Sequence, residues 1–143
     1  MREILFRGKR LDTGEWVMSG NILHAKVGDE HHLYIPVQND KFGTVEDEND
    51  NILSIEYGTF YKVDPATVGQ YTGLTDSDGD KIFEGDVVAL GDECGKIEYS
   101  ETEAMFQVVF YGWLTDFDHY YGAEFEVVGN IHDNPELIGG DES

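Results

Sequence analysis

Tyr71-Thr72-Gly73-Leu74-Thr75-Asp76-Ser77-Asp78-Gly79-Asp80-Lys81-Ile82-Phe83-Glu84-Gly85-Asp86-Val87-Val88 carries glycines six residues apart, at 73, 79 and 85. The same frame stands 65 positions earlier at Gly8, Gly14 and Gly20, where Phe6 matches Tyr71, Asn21 matches Asp86 and Ile22 matches Val87. Short apolar stretches on either side of a tip rich in Gly and Asp predict a β-hairpin. The repeat predicts that this hairpin is used twice.

Working outward, Ile4 to Leu23 reads as the first hairpin, with Asp12-Thr13-Gly14 as its turn. Trp16 and Met18 alternate with Glu15, Val17 and Ser19, the period of a strand, and Trp16 is expected to anchor a core. His31 to Val37 forms the next expected strand, with Pro36 marking an edge or bend. Gln38 to Asn51 has the least apolar patterning, and its acidic run Glu46 to Asp50 reads as a solvated loop. Strand character returns over Ile52 to Lys62. Asp64-Pro65 and Asn134-Pro135 each open a one-turn helix, because Asp and Asn cap free N–H groups and Pro loses nothing at the first helical position. Further strands are expected over Gly95 to Ser100, Phe106 to Trp113 and Phe125 to Ile131. No amphipathic run is long enough for a major helix. Short strands at close spacing argue for an all-β chain of small barrels or sandwiches built from short antiparallel strands. It divides into an N-terminal β region, 1–62, and a C-terminal barrel, 63–143.

A chain of 143 residues can bury a core without disulfides or metal, and 40% apolar residues argue for folding despite a formal charge of −21. The charge is uneven. Arg2, Arg7, Lys9 and Arg10 against Glu3 leave the first ten residues at +3, whereas Ile97 to Ser143 holds 11 acids and no Lys or Arg. So acidic a surface repels phosphate backbones, which argues against nucleic acid as a partner. The basic start either flanks an edge strand against aggregation or meets an acidic face of another subunit. Cys94 is the single cysteine, so no disulfide closes within the chain, as suits a reducing cytoplasm. Its acidic turn disfavours an activated nucleophile. No apolar run approaches the roughly 20 residues of a membrane span, and the first residues lack the apolar run of a secretory signal. A soluble, cytoplasmic protein is expected.

Several blocks resemble the YopX-like family of phages and prophages. They are Phe6-Arg7-Gly8-Lys9-Arg10 with Asp12, Gly14 and Trp16; Thr67 to Asp76; Gly79; Ile82 to Val88; and Val128 to Leu137. They run in order through nearly the whole chain, and His24 to Lys62 carries little of the pattern. The resemblance implies an all-β protein with SH3-like character in its second half. It implies no activity, and it supplies no catalytic residues to carry over.

For chemistry, Asp76, Asp78 and Asp80 are the metal candidates, with Glu84 and Asp86 downstream, because hard cations take several oxygens. Counted from Asp76, the sixth residue is Lys81 and the twelfth Val87, so this is no EF-hand. The first turn, Asp12-Thr13-Gly14, has one acid in the same frame, which favours turn geometry over metal binding. His31 and His32 point to opposite sides of a strand and cannot easily share an ion. Asp118 and His119 lack the partners that a zinc site or an acid–base pair needs. No cofactor is expected. Phe110 to Tyr121 is richer in aromatics than a core needs, and Trp113, Phe117, Tyr120 and Tyr121 are the interface candidates. The functional expectation is a phage or prophage accessory protein without catalysis. It would act by protein–protein contact, as a homo-oligomer or on a host protein. The alternative is an acidic mimic of nucleic acid that inhibits a host defence or DNA-binding factor.

Overall fold

A computed structural model describes residues 3–36, 43–46, 48–49, 52–56, 60–117 and 124–138. The fold is all-β, and the helices among the described residues are two short 3₁₀ turns. The chain divides into two compact units, one of Leu5–Val68 and one of Met1–Ile4 with Gly69–Ser143.

In the first unit, β1 (Phe6–Lys9) and β2 (Trp16–Ser19) make the expected hairpin, in the unbroken register Phe6↔Ser19 to Lys9↔Trp16. The turn closes through Arg10 N–H to the Glu15 carbonyl, and Gly14 takes a φ of +75°. β3 (Leu23–Val27) and β4 (Glu30–Pro36) form a second hairpin around Gly28-Asp29. β5 (Gly43–Glu46) and β6 (Ile52–Glu56) form a third. Thus the stretch read as least ordered contains a strand. β7 (Phe60–Val63) pairs with β4, giving the order β3-β4-β7. Ile35 and Val63 are fully buried. Gly8 belongs beside them, since a Cβ there would stand 3.1 Å from the Val63 side chain. The turn Pro65–Thr67 is capped as expected, with the Asp64 carboxylate accepting from Ala66 N–H at 3.0 Å. Trp16 is half-buried, not a deep anchor. The Arg7 guanidinium lies 4.7 Å and the Lys9 ammonium 5.5 Å from its ring centroid. Arg10 stacks on Tyr61 at 4.0 Å and grips Asp12 at 2.6 and 2.9 Å. Most of the basic cluster is therefore engaged within its own unit.

In the second unit, β8 (Gly69–Thr75) and β9 (Lys81–Phe83) make the other hairpin. Its ladder differs from the first. Tyr71↔Phe83 and Thr75↔Lys81 pair, so Thr72, Gly73 and Leu74 all oppose Ile82. Gly73 bends this bulge with a φ of +91°, and the Thr72 hydroxyl donates to the Ile82 carbonyl at 2.8 Å. The turn closes more tightly, from Asp76 N–H to the Asp80 carbonyl, where the first closes from Arg10 to Glu15. The six-residue glycine frame therefore conceals two different hairpins. β10 (Asp86–Leu90), β11 (Glu93–Ser100), β12 (Met105–Phe110), β13 (Trp113–Asp116) and β14 (Glu126–Asn130) build one antiparallel sheet in the order β13-β12-β11-β10-β14. The ladder closure of an SH3-like barrel is not among the pairings of the described residues. Ile82, Val88, Ile97, Val108, Phe110, Phe117 and Phe125 form the core. Gly95 admits this packing, because a Cβ on it would lie 2.8 Å from Val108 Cγ1. The chain leaves β14 through a corner in which Asn130 Oδ1 accepts from His132 and Asp133 N–H, and then enters the turn Pro135–Ile138. No helix among the described residues is long and apolar enough to cross a membrane.

Candidate functional site

The predicted acidic trio does come together. One carboxylate oxygen from each of Asp76, Asp78 and Asp80 fits within 4.8 Å of the others, while Glu84 and Asp86 stand outside the group. Its members are not equivalent. Asp78 and Asp80 are exposed, whereas Asp76 is 5% exposed. Asp76 Oδ1 accepts the N–H groups of Asp78 and Asp80, each at 2.9 Å. Its Oδ2 accepts from Val127 N–H on β14 at 3.0 Å. Burial pushes this carboxyl up, but the N–H groups of Val127, Asp80, Asp78 and Gly79 together hold it below the usual aspartate value. Ser77 N–H reaches the Phe125 carbonyl at 2.9 Å, so the hairpin tip is pinned to the start of β14 by two contacts. Asp86 also serves the backbone, with Oδ2 accepting from the buried Phe83 N–H at 2.8 Å. This arrangement gives the Asp76 and Asp86 carboxylates structural roles in the turns.

Glu84 has another environment. It lines a cavity of about 530 Å³ with Gln70, Tyr99, Met105, Phe106 and Phe117. Burial, with a smaller push from the negative charge of Glu98, raises its carboxyl above the ordinary glutamate value, against the pull of the Gln70 N–H. A larger cavity, about 680 Å³, lies along Cys94, Lys96, Val109, Tyr111, Leu137 and Ile138.

The aromatic segment separates into two roles. Phe110 and Phe117 turn inward, Phe117 is 7% exposed, and the rings of Phe117 and Phe125 stack at 6.0 Å. Phe117, expected at an interface, thus lies in the core. Trp113 covers the core edge, stacked on Phe110 at 4.2 Å and 41% exposed. Gly112, at a φ of +85°, turns the chain there, so the apolar run read as one strand is two. Tyr111 at the tip is 94% exposed and Leu114 on β13 is 55% exposed. Tyr120 and Tyr121 lie outside the described residues, as do Asp118 and His119. β13 forms one border of its sheet, and among the described residues no strand pairs with its outer side. Border strands usually carry Lys, Pro or a bulge that blocks further pairing, and Trp113-Leu114-Thr115-Asp116 has only a terminal Asp.

Sequence reasoning missed one contact between functional groups. His24 Nε2 lies 2.7 Å from His31 Nδ1, with the rings stacked at 4.9 Å. His24 pairs with Leu33 and Lys26 with His31, so the two histidines are diagonal neighbours on one face of the hairpin. The available signal was Gly28-Asp29, a two-residue turn that sets this register, with Gly28 at a φ of +62°. His32 faces the other side, 3.2 Å from Glu30.

A family model described as YopX protein matches residues 5–139. No curated protein matches the chain. Among solved structures, the chain is similar to the crystal structure of protein EF1440 from Enterococcus faecalis. The TM-score is 0.62 and the identity 22%, covering 94% of this chain and 97% of that one. A likeness at that identity speaks for the fold alone.

Proposed function

The chain belongs to the YopX family, and from that membership we propose that it works by protein–protein contact, as a self-associating accessory protein of a phage or prophage in the bacterial cytoplasm, without catalysis. The observation that carries this reading is the β13 border, where Tyr111, Trp113 and Leu114 are 94%, 41% and 55% exposed beside backbone that no described strand pairs. A second copy, added antiparallel at β13, would extend the sheet and cover these side chains. Centred between Leu114 and Thr115, such a pairing sets Asp116 opposite the partner's Trp113, so like charges do not face each other.

The net charge of −21 on each copy opposes this association. Screening by salt should therefore strengthen it. Light scattering over a range of protein concentrations, at low and high salt, tests the reading. The expected result is a mass of twice 16.1 kDa that is favoured by salt, and reversion to monomer in Leu114→Glu. A strict wild-type monomer at every salt and concentration overturns it.

A further inference from the structure

We propose that His24 and His31 form an open binding site for a late first-row transition metal such as Zn²⁺ or Ni²⁺, distinct from the acidic turn and independent of the contact reading above. Imidazole nitrogen is a preferred donor for these ions, and two nitrogens here already converge. His24 Nε2 and His31 Nδ1 are 2.7 Å apart, the distance of a shared proton. Two nitrogens bound to one tetrahedral zinc, each at about 2.0–2.1 Å, stand about 3.3 Å apart. The pair thus needs to open by only about 0.6 Å, which small rotations of two exposed side chains supply. All five residues of β3 are exposed, and His31 is exposed as well, so an ion reaches the pair directly from solvent.

The hairpin register holds both ligands in place before metal arrives. Lys26, on the same face opposite His31, is the nearest competing cation in the ladder. Its flexible stem lets the ammonium swing away. His32 and Glu30 project from the other face and cannot complete the shell. On a tetrahedral Zn²⁺ two positions are left to water or an incoming ligand, which makes the site exchangeable and not a closed structural one.

Titration calorimetry of the untagged protein with Zn²⁺ and with Ni²⁺ tests this. One saturable site per chain is expected. It should disappear in His24→Gln and in His31→Gln, persist in His32→Gln, and resist competition by Ca²⁺, which prefers oxygen donors. Electron paramagnetic resonance of bound Cu²⁺ should show coupling to two imidazole nitrogens in the wild type and to fewer in either single variant. The absence of a saturable site, its survival in His24→Gln or His31→Gln, or its equal loss in His32→Gln overturns the proposal. Circular dichroism of each variant confirms that the exposed hairpin substitutions leave the fold intact.

Discussion

Replacing Asp76 separates turn chemistry from metal chemistry. In Asp76→Ala three N–H groups lose their acceptor: Asp78, Asp80 and Val127. Asp78 and Asp80 sit in an exposed turn, where water can replace the carboxylate, so each loss costs about 0.5–1 kcal/mol. Val127 is half-buried, and stranding its N–H costs about 1–3 kcal/mol. The expected destabilisation is about 3 kcal/mol. Asp76→Asn keeps one acceptor oxygen but sets its NH₂ against a donor, so it should lose roughly half as much. Urea unfolding followed by tryptophan fluorescence reads both, since Trp113 lies in the same unit. Acid should act through the same group. Its folded-state value is depressed, so the carboxylate's contribution is present above the ordinary aspartate range. That contribution is lost as pH falls through the depressed value, and Asp76→Asn should lack this part of the acid sensitivity. Millimolar Ca²⁺ should leave the wild-type midpoint unmoved. A variant within about 0.5 kcal/mol of wild type, or a Ca²⁺ stabilisation that Asp76→Ala abolishes, refutes the reasoning.

Gly95→Ala should destabilise the second unit by about 1–3 kcal/mol in the same assay, because the added methyl meets Val108 and Phe110 at 2.8–3.0 Å. Glu84→Gln should match wild type in acid and exceed it at neutral pH. The raised Glu84 carboxyl favours its neutral form, and the stability this gives is lost as pH rises from the ordinary glutamate value of 4.5 through the raised one. Unfolding curves at pH values on both sides of that window check it, and Glu98→Gln should reproduce part of the gain.

What could be read in the chain beforehand is what local chemistry decides. Asp64-Pro65 announces its turn because capping needs only neighbours in sequence, whereas the Asn134 side chain, read as a cap, instead accepts from Asn130 N–H on the strand before its turn. The hairpin tips at Gly14 and Gly79 are legible because both need positive φ. Long-range consequences are not legible. Asp76 looks like one acid among three until β14 delivers Val127 N–H from 51 residues away. Phe117 and Tyr111 look alike as aromatics. Only the fold turns one into the core and leaves the other in solvent. β13 was hidden because the Tyr111-Gly112 turn interrupts an apolar run that continues beyond it. The His24–His31 contact needed a register, and the polar stretch between them masked the turn that sets it.

The slipped ladder of the second hairpin bears on how such chains can change over evolution. The two glycine frames agree in letters, but one strand pair is regular and the other absorbs extra residues at Gly73 and recovers them in a tighter tip. A segment moved from one frame to the other would enter its new neighbourhood out of phase, presenting its apolar side to water. The halves are therefore homonyms, spelled alike and not interchangeable. Recombination between them should be tolerated only where the bulge and the shortened tip travel together.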